Sequence, residues 1–423
     1  MDGYQSAERL FEQERDRILA TVIRLIGDFD LAEEMTQEAF LAALHQWPAQ
    51  GTPENPRAWI VSTARHKAID RLRKEKRLRE ELAQTGSPPL ESPAEIETAS
   101  FEKLDGVLAD DLLRLIFTCC HPALSLEARI ALTLRTVGGL STEQIARVFL
   151  VPVPTMAQRL VRAKTKISEA NIPYRVPPAE LLAERLDAVL ATVYLIFTEG
   201  YAATSGDVLV HKGLCAEAIR LARLLSGQFP DSGEAQGLLA LLLLHDSRHD
   251  ARTDAAGDIV PLEEQDRSRW NQEQIREGCA LAEAALRKGG ANCRYAIEAA
   301  IAALHAEAAR AEDTDWPQIA ALYGVLLRTH PSAVIELNRA VAIAMADGAE
   351  AALPLLDGLQ KGAALKDSHL LPAARAHLLR RLGRLDEARV HFEAALSLAV
   401  NSPERRFLEK RLAELSQDKE LSR

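Results

Sequence analysis

Apolar residues recur at three- and four-residue intervals along most of the chain, the period of a helix with one buried face. Leu10, Phe11, Ile18, Val22, Ile23 and Ile26 form the first such run, and Gly27 closes it. Leu31, Met35, Phe40, Ala43 and Leu44 form the second. Asp30 is placed to cap it, with Glu33 three residues on as in a capping box. A loop over Trp47–Asn55 follows. Asn55 then suits an N-cap and Pro56 the first position of a third helix. That helix turns Trp59, Ile60, Thr63, Ile69 and Leu72 inward and sets Lys67, Arg71 and Lys74 on another face, at i, i+4 and i+7.

A sharper pattern comes later. Gly138 and Gly139 stop a helix carrying Ile130, Leu132 and Leu134. Ser141 and Gln144 then form a capping box for a short helix over Thr142–Phe149. A turn at Leu150–Val153 leads to Pro154, a residue suited to open a helix. Met156, Leu160, Ala163 and Ile167 make the buried stripe of this last helix, and Arg159, Arg162 and Lys166 make a separate basic stripe. Two short helices, a tight turn and a basic second helix describe a helix-turn-helix.

Three breaks interrupt the periodicity. Gln84–Ser100, rich in Pro, Ser and Gly, reads as a flexible linker; Asn171–Pro178 reads as a module boundary; Asp246–Pro261 reads as a long loop. The expected pieces are residues 1–82, a linker at 83–100, residues 101–171, and residues 179–423. The last piece is helical and degenerately repetitive. Ala376, Leu379, Gly383, Ala388, Phe392 and Ala395 match tetratricopeptide spacing, and Ala340, Ile343, Gly348, Ala352, Leu356 and Leu359 form a weaker copy. A third fragment carries Ala218, Ala222, Leu225 and Pro230, then Ala240 and Leu243. The fold expected is all-α: two small helical domains, the second a helix-turn-helix, followed by a tetratricopeptide-like α-solenoid.

Composition agrees, with aromatic residues at only 5% and net charge −10. The charge is unevenly spread. Between Pro56 and Arg79 stand Arg57, Arg65, Lys67, Arg71, Arg73, Lys74, Lys76, Arg77 and Arg79, against only Asp70 and Glu75. From residue 173 on, 36 Asp and Glu outnumber 29 Lys and Arg. A basic helix with an apolar inner stripe suits phosphate contacts. Cys119, Cys120, Cys215, Cys279 and Cys293 lie within apolar helical patterns, which argues against a disulfide framework. Cys119-Cys120-His121 lacks a second ligand pair, and His245 and His249 sit four apart but at the start of the expected loop region, so no metal site is expected. No nucleotide loop or nucleophile motif appears, so neither enzyme activity nor a cofactor is expected. No run reaches transmembrane length, and MDGYQSAERL lacks the order of a signal peptide, so the expectation is a cytoplasmic protein without a membrane partner.

Three blocks carry a family resemblance: Asp30–Phe40 (DLAEEMTQEAF), Pro56–Arg73 (PRAWIVSTARHKAIDRLR), and Leu140–Ala146 with Val151–Lys164 (VPVPTMAQRLVRAK). In this order and with this linker, residues 8–78 and 101–168 resemble the two domains of an extracytoplasmic-function (ECF) sigma factor, a promoter-recognition subunit of bacterial RNA polymerase. The distinctive stretch Tyr194–Gly206 resembles part of those ECF factors that carry long helical C-terminal extensions. It reads either as helix-to-turn packing or as the lining of a ligand or domain contact. Two positions depart from the family pattern: Pro154 stands where Gly is usual, and His66 where Asn is usual.

The resemblance implies roles. Asp30, Glu33, Glu34 and Gln37 match the face that docks on core RNA polymerase, where carboxylates suit a basic partner. The loop Pro48–Pro56 and the helix after it match the part that captures an unstacked base of the −10 element, with Arg57, Arg65, Lys67, Arg71, Arg73 and Lys74 on promoter phosphates. Thr155, Ala157, Gln158 and Arg162 match positions facing the −35 major groove, with Arg159, Lys164 and Lys166 on phosphates. The acidic C-terminal piece would regulate, docking on the sigma domains or on a protein partner. The alternative is a stand-alone helix-turn-helix regulator with a tetratricopeptide-like sensor, which has no need of Asp30–Phe40.

Overall fold

The computed structural model describes residues 3–83, 104–149, 151–201, 212–254, 256–362 and 364–421. The expected linker at 83–100 lies outside them except for Ala83, as do residues 202–206 of the Tyr194–Gly206 stretch. The described residues contain no β-strand beyond one isolated bridge between Thr253 and Ile259. They divide into two compact units, residues 1–192 and 193–423. No helix among them is long and apolar enough to cross a membrane.

The first unit begins with α1 (Gly3–Ile26), α2 (Phe29–Gln50) and α3 (Pro56–Ala83), which pack on one another. Ile18, Leu19, Val22 and Ile23 of α1 are buried, as are Ala32, Met35, Ala39 and Ala43 of α2. The cap of α2 is Asp28, not Asp30: its extended backbone lets its carboxylate accept from the Leu31 amide at 2.9 Å. Asp30 is thereby left inside the first turn, free of capping duty. The second helix also runs on through Pro48 to Gln50, where Gly51 at φ +85° stops it, so the loop is shorter than its composition predicts. Asn55 caps α3 as expected, accepting from the Ala58 amide at 3.0 Å. The fully buried face of α3 is Ile60, Val61, Ala64 and Ala68. Trp59 is half-buried and packs edge-on against Trp47, with ring centroids 5.5 Å apart.

The helix-turn-helix half follows as α4 (Leu104–Cys119), α5 (Leu126–Thr136), α6 (Thr142–Val148) and α7 (Val153–Glu169). The capping box forms in both directions: the Ser141 hydroxyl accepts from the Gln144 amide, and the Gln144 side chain accepts from the Ser141 amide. Met156, Leu160, Ala163 and Ile167 are buried as a stripe against α5 and α6. Helix α4 packs along α1. The unit ends partway along α8 (Ala179–Tyr201), where Arg185 donates to the Phe117 carbonyl at 2.7 Å.

The second unit takes up α9 (Lys212–Gln228), α10 (Gly233–Asp246), α11 (Gln272–Gly289), α12 (Arg294–Glu307), α13 (Trp316–Thr329), α14 (Ala333–Asp347), α15 (Ala349–Gln360), α16 (Leu370–Arg381), α17 (Leu385–Leu398) and α18 (Ser402–Leu421). Sequential helices pair as hairpins. Gly383, at φ +72°, makes the turn between α16 and α17, and Ala376, Leu379, Ala388, Phe392 and Ala395 are buried between them. Small residues permit close approach. Helix α10 is buried all round from Leu238 to Leu244, and Gly237 lets it lie against α12. A Cβ at 237 would come within 2.8 Å of three Ala296 and Tyr295 backbone atoms. Backbone cannot swing aside as a side-chain tip can, so Gly237→Ala is expected to cost about 3 kcal/mol by overpacking. Denaturant unfolding of the full chain, read by hydrogen exchange of α10 and α12 amides, checks it; an unchanged midpoint would refute it.

Candidate nucleic-acid interface

Burying Met156, Leu160, Ala163 and Ile167 fixes what the rest of α7 can show. Thr155, Ala157, Gln158, Arg162 and Lys166 are exposed. Arg159 is half-buried, its guanidinium 5.4 Å from the centre of the Phe149 ring. Thr155, Gln158, Arg162 and Lys166 border one surface hollow with Leu124, Ser125 and Ala128. These groups can offer an amide, a guanidinium, a hydroxyl and an ammonium to one ligand face. Lys164 points elsewhere: its ammonium meets the Asp30 carboxylate and lies 3.7 Å from Glu33.

The basic residues of α3 face the acids of α2. Lys67 donates to Glu38 at 2.8 Å, and Arg71 bridges Glu34 at 3.2 Å and Glu75 at 2.9 Å. The Glu75 hydrogen bond and then the Glu34 charge raise the Arg71 pKa. Arg57 is bound to Glu14, and Arg73 lies 4.0 Å from Asp70. Lys74 is exposed, whereas Arg65 is half-buried with its Nε unpartnered. The α2–α3 pairs involving Lys67 and Arg71 are solvent-facing, so each is weak and can be exchanged for a phosphate.

The acidic face of α2 is likewise engaged. Glu33, with only 12% of its side chain exposed, is ringed by Arg15 at 3.8 Å, by Arg135 and by Lys164. Asp30 is exposed on its other side, and Glu34 is exposed beside Arg71. Gln37 is exposed at the rim of an apolar hollow of about 360 Å³ lined by Tyr4, Phe11, Phe40, Leu41 and Leu44. Phe11 reads as core in the sequence, yet it is 42% exposed and Leu41 is 55% exposed. The periodicity places both at helical positions but carries no sign of which flank stays open.

A buried polar joint ties α1 to α4. Asp111, with no exposure, accepts from Arg24 at 2.9 Å and from Arg114 at 3.0 Å. The Tyr174 hydroxyl donates to the Ala20 carbonyl at 2.8 Å and sits 3.1 Å from the Asp111 carbonyl. Burial, then the Asp111 charge, pushes the Tyr174 phenol well above its usual pKa. Sequence reasoning assigns no role to these residues, since Tyr174 stands among prolines and its partners lie 63 and 154 positions away. Removing one partner of a buried pair strands the other, so Asp111→Ala is expected to destabilise the first unit by about 3 kcal/mol. Urea unfolding read by hydrogen exchange of α1 and α4 amides checks this, and a loss below 1 kcal/mol on the same scale would contradict it.

Cys119 and Cys120 serve packing: they are buried against Thr136 and Thr133, and burial raises both thiols. Cys215, Asp246 and His249 bring one potential ligand atom each within 4.8 Å of the others. Burial and the Asp246 charge push the Cys215 thiol up to about 12, and Asp246 already accepts from Gln274 at 2.8 Å, so the trio is a poor ligand set at neutral pH.

Comparison with known proteins follows this geometry. Residues 10–78 match the sigma-70 region 2 family, residues 114–167 the sigma-70 region 4 family, and residues 185–286 a family of unknown function, DUF6596. Two sigma-70 regions in this order define a sigma factor. An uncharacterized protein of Rhizobium meliloti is 44% identical over 406 residues, covering 95% of this chain and 94% of that protein. The probable ECF RNA polymerase sigma factor SigI of Mycobacterium tuberculosis is 27% identical over 180 residues, 43% of this chain and 60% of that one. The RNA polymerase sigma-H factor of Pseudomonas aeruginosa is 29% identical over 170 residues, 37% of this chain and 81% of its own. The chain belongs to the ECF sigma factors, as a member with a long helical C-terminal extension.

Proposed function

We propose that this sigma factor binds core RNA polymerase and directs it to promoters by reading two separated elements. The exposed row Thr155, Gln158 and Arg162 on α7, held by a capped helix-turn-helix, carries the reading. On the −35 duplex Gln158 would pair with adenine and Arg162 with guanine, with Ala157 alongside them and Arg159, Lys164 and Lys166 on phosphates. On the −10 side Arg57, Arg65, Lys67, Arg71, Arg73 and Lys74 would hold phosphates while an unstacked base is captured. The polymerase performs the catalysis.

Asp30, Glu33, Glu34 and Gln37 would dock on the polymerase, joined by the apolar hollow at Phe11 and Leu41. Because Asp30 and Glu33 hold Lys164 and Arg135, docking by these acids and DNA contact by Lys164 both require that joint to open. The acidic extension then has a task in this reading, which is to set how readily the sigma domains engage. A chain ending at Thr192 tests the extension: promoter output equal to that of the full chain would remove the regulatory claim.

The docking claim is tested by titrating the full chain onto core polymerase. Saturable one-to-one binding is expected. Leu41→Asp, which puts a charge into the exposed apolar hollow, is expected to weaken it about tenfold, as truncation of an interface anchor does. Absence of binding would sink the reading and favour a stand-alone DNA-binding regulator.

A further inference from the structure

The second unit contains a cleft of about 690 Å³ whose lining comes from α8, α10, α12, α13 and α14. This is the volume range of small-molecule sites. Its walls are largely apolar and aromatic, among them Phe197, Leu241, Ile301, Tyr194, Tyr201 and Tyr323.

The charge in and behind this wall is not balanced. Arg248 lines the cleft, donating to the Tyr201 hydroxyl at 2.8 Å and to His245 Nδ1 at 3.0 Å. Arg252 lies 3.5 Å from the centre of the Tyr201 ring and donates to the Tyr201 carbonyl. Arg267 donates to the His305 and Ala308 carbonyls at 2.6 and 2.7 Å. Among the described residues no carboxylate pairs with Arg248 or Arg252, and Arg267 feels the Asp313 charge without forming an ion pair with it. The lining's one carboxylate, Glu298, is taken by Arg294 at 3.0 Å. Holding partly buried cations on mostly neutral acceptors is unfavourable, and an anion entering the cleft would offset it. His305 also lines the cleft, and its buried Nδ1 has no partner.

We propose that this cleft is a binding site for a small organic anion with an apolar body. Its carboxylate or phosphate group takes Arg248 and the His305 Nδ1 proton, and its body lies along Phe197, Leu241 and Ile301. The site needs nothing from the promoter reading, because every group belongs to the second unit.

Anilinonaphthalene sulfonate, an apolar fluorescent anion, is the probe, titrated onto the full chain. One saturable site is expected. Octanoate and octyl phosphate should displace the probe and octylamine should not, and the better competitor of the two identifies carboxylate or phosphate as the head group. Arg248→Met should weaken the probe at least tenfold, the worth of one charge-assisted hydrogen bond. Ala302→Trp, which fills the cleft, should abolish it. Leu41→Asp, in the apolar hollow of the first unit, should leave it unchanged. Non-saturable fluorescence, or displacement by octylamine as readily as by octanoate, overturns the proposal on the unaltered protein. So does probe binding that survives Ala302→Trp or is lost with Leu41→Asp, whether or not Arg248→Met folds.

Discussion

The double variant Gln158→Ala, Arg162→Ala is expected to lower transcription from a −35-dependent promoter by roughly two orders of magnitude. Each side chain is exposed on α7, and each can make two hydrogen bonds to a base edge. A good bidentate pair discriminates by about 1–3 kcal/mol, and two separate positions act almost independently, so the pair should cost about 3 kcal/mol or more. The loss should fall on sequence preference. Promoters altered at the two cognate base pairs should lose little further activity with the variant, whereas the parent protein should lose as much as the double substitution costs. Lys166→Ala, beside the same hollow but assigned to phosphate, should weaken all promoters alike and reduce the salt dependence by about one counterion. Equal loss on cognate and altered promoters for the Gln158, Arg162 variant would contradict the assignment.

Acidification is expected to destabilise the second unit by at least about 4 kcal/mol between pH 7 and pH 5. Two histidines there are pushed down to about 4. Burial is the main cause for both, followed by the Arg248 and Arg267 charges at His305, and by Arg411 and Arg380 at His377. The folded chain therefore refuses protons that the unfolded chain takes up near pH 6.5. Stability from this source is complete above about pH 6.5 and is lost as the pH falls from there towards 4, at up to about 1.4 kcal/mol per unit for each histidine. Denaturant unfolding at pH 7 and 5, with hydrogen exchange of α12 and α16 amides to assign the loss, measures it. The variant His305→Gln, His377→Gln should lessen the dependence without abolishing it, because burial also holds His245 well below the usual histidine range and lowers His391. The same slope in that variant would place the acid sensitivity elsewhere.

What the sequence made legible was local. The Ser141–Gln144 box, the Asn55–Pro56 start and the buried stripe Met156–Leu160–Ala163–Ile167 each depend on contacts within one or two turns, and spacing alone reports them. Two aspartates precede α2, and only the extended backbone at Asp28 decides which one caps it. The reach of α2 past Pro48 was hidden because a proline and polar neighbours read as loop. The salt-bridge partners of the basic face of α3 were not legible, because Glu34 and Glu38 stand 37 and 29 positions from Arg71 and Lys67. For the same reason Glu33 gave no hint of its ring of Arg15, Arg135 and Lys164, nor Tyr174 of its place between Ala20 and Asp111. The cleft draws on five helices between Tyr194 and Asn338. Its excess positive charge depends on which arginines have no carboxylate in contact, and no one-dimensional pattern encodes that.

The central claim is that this chain makes core RNA polymerase selective. Core polymerase with the purified protein, given a library of random upstream sequences on linear DNA, measures it directly by sequencing the transcript 5′ ends. The account predicts transcripts from a subset that shares two short motifs, set apart by a fixed spacing and near 10 and 35 bases upstream of the start, as −10 and −35 elements are defined. Transcripts no more numerous than with core polymerase alone, or starts without a shared upstream pair, would contradict it.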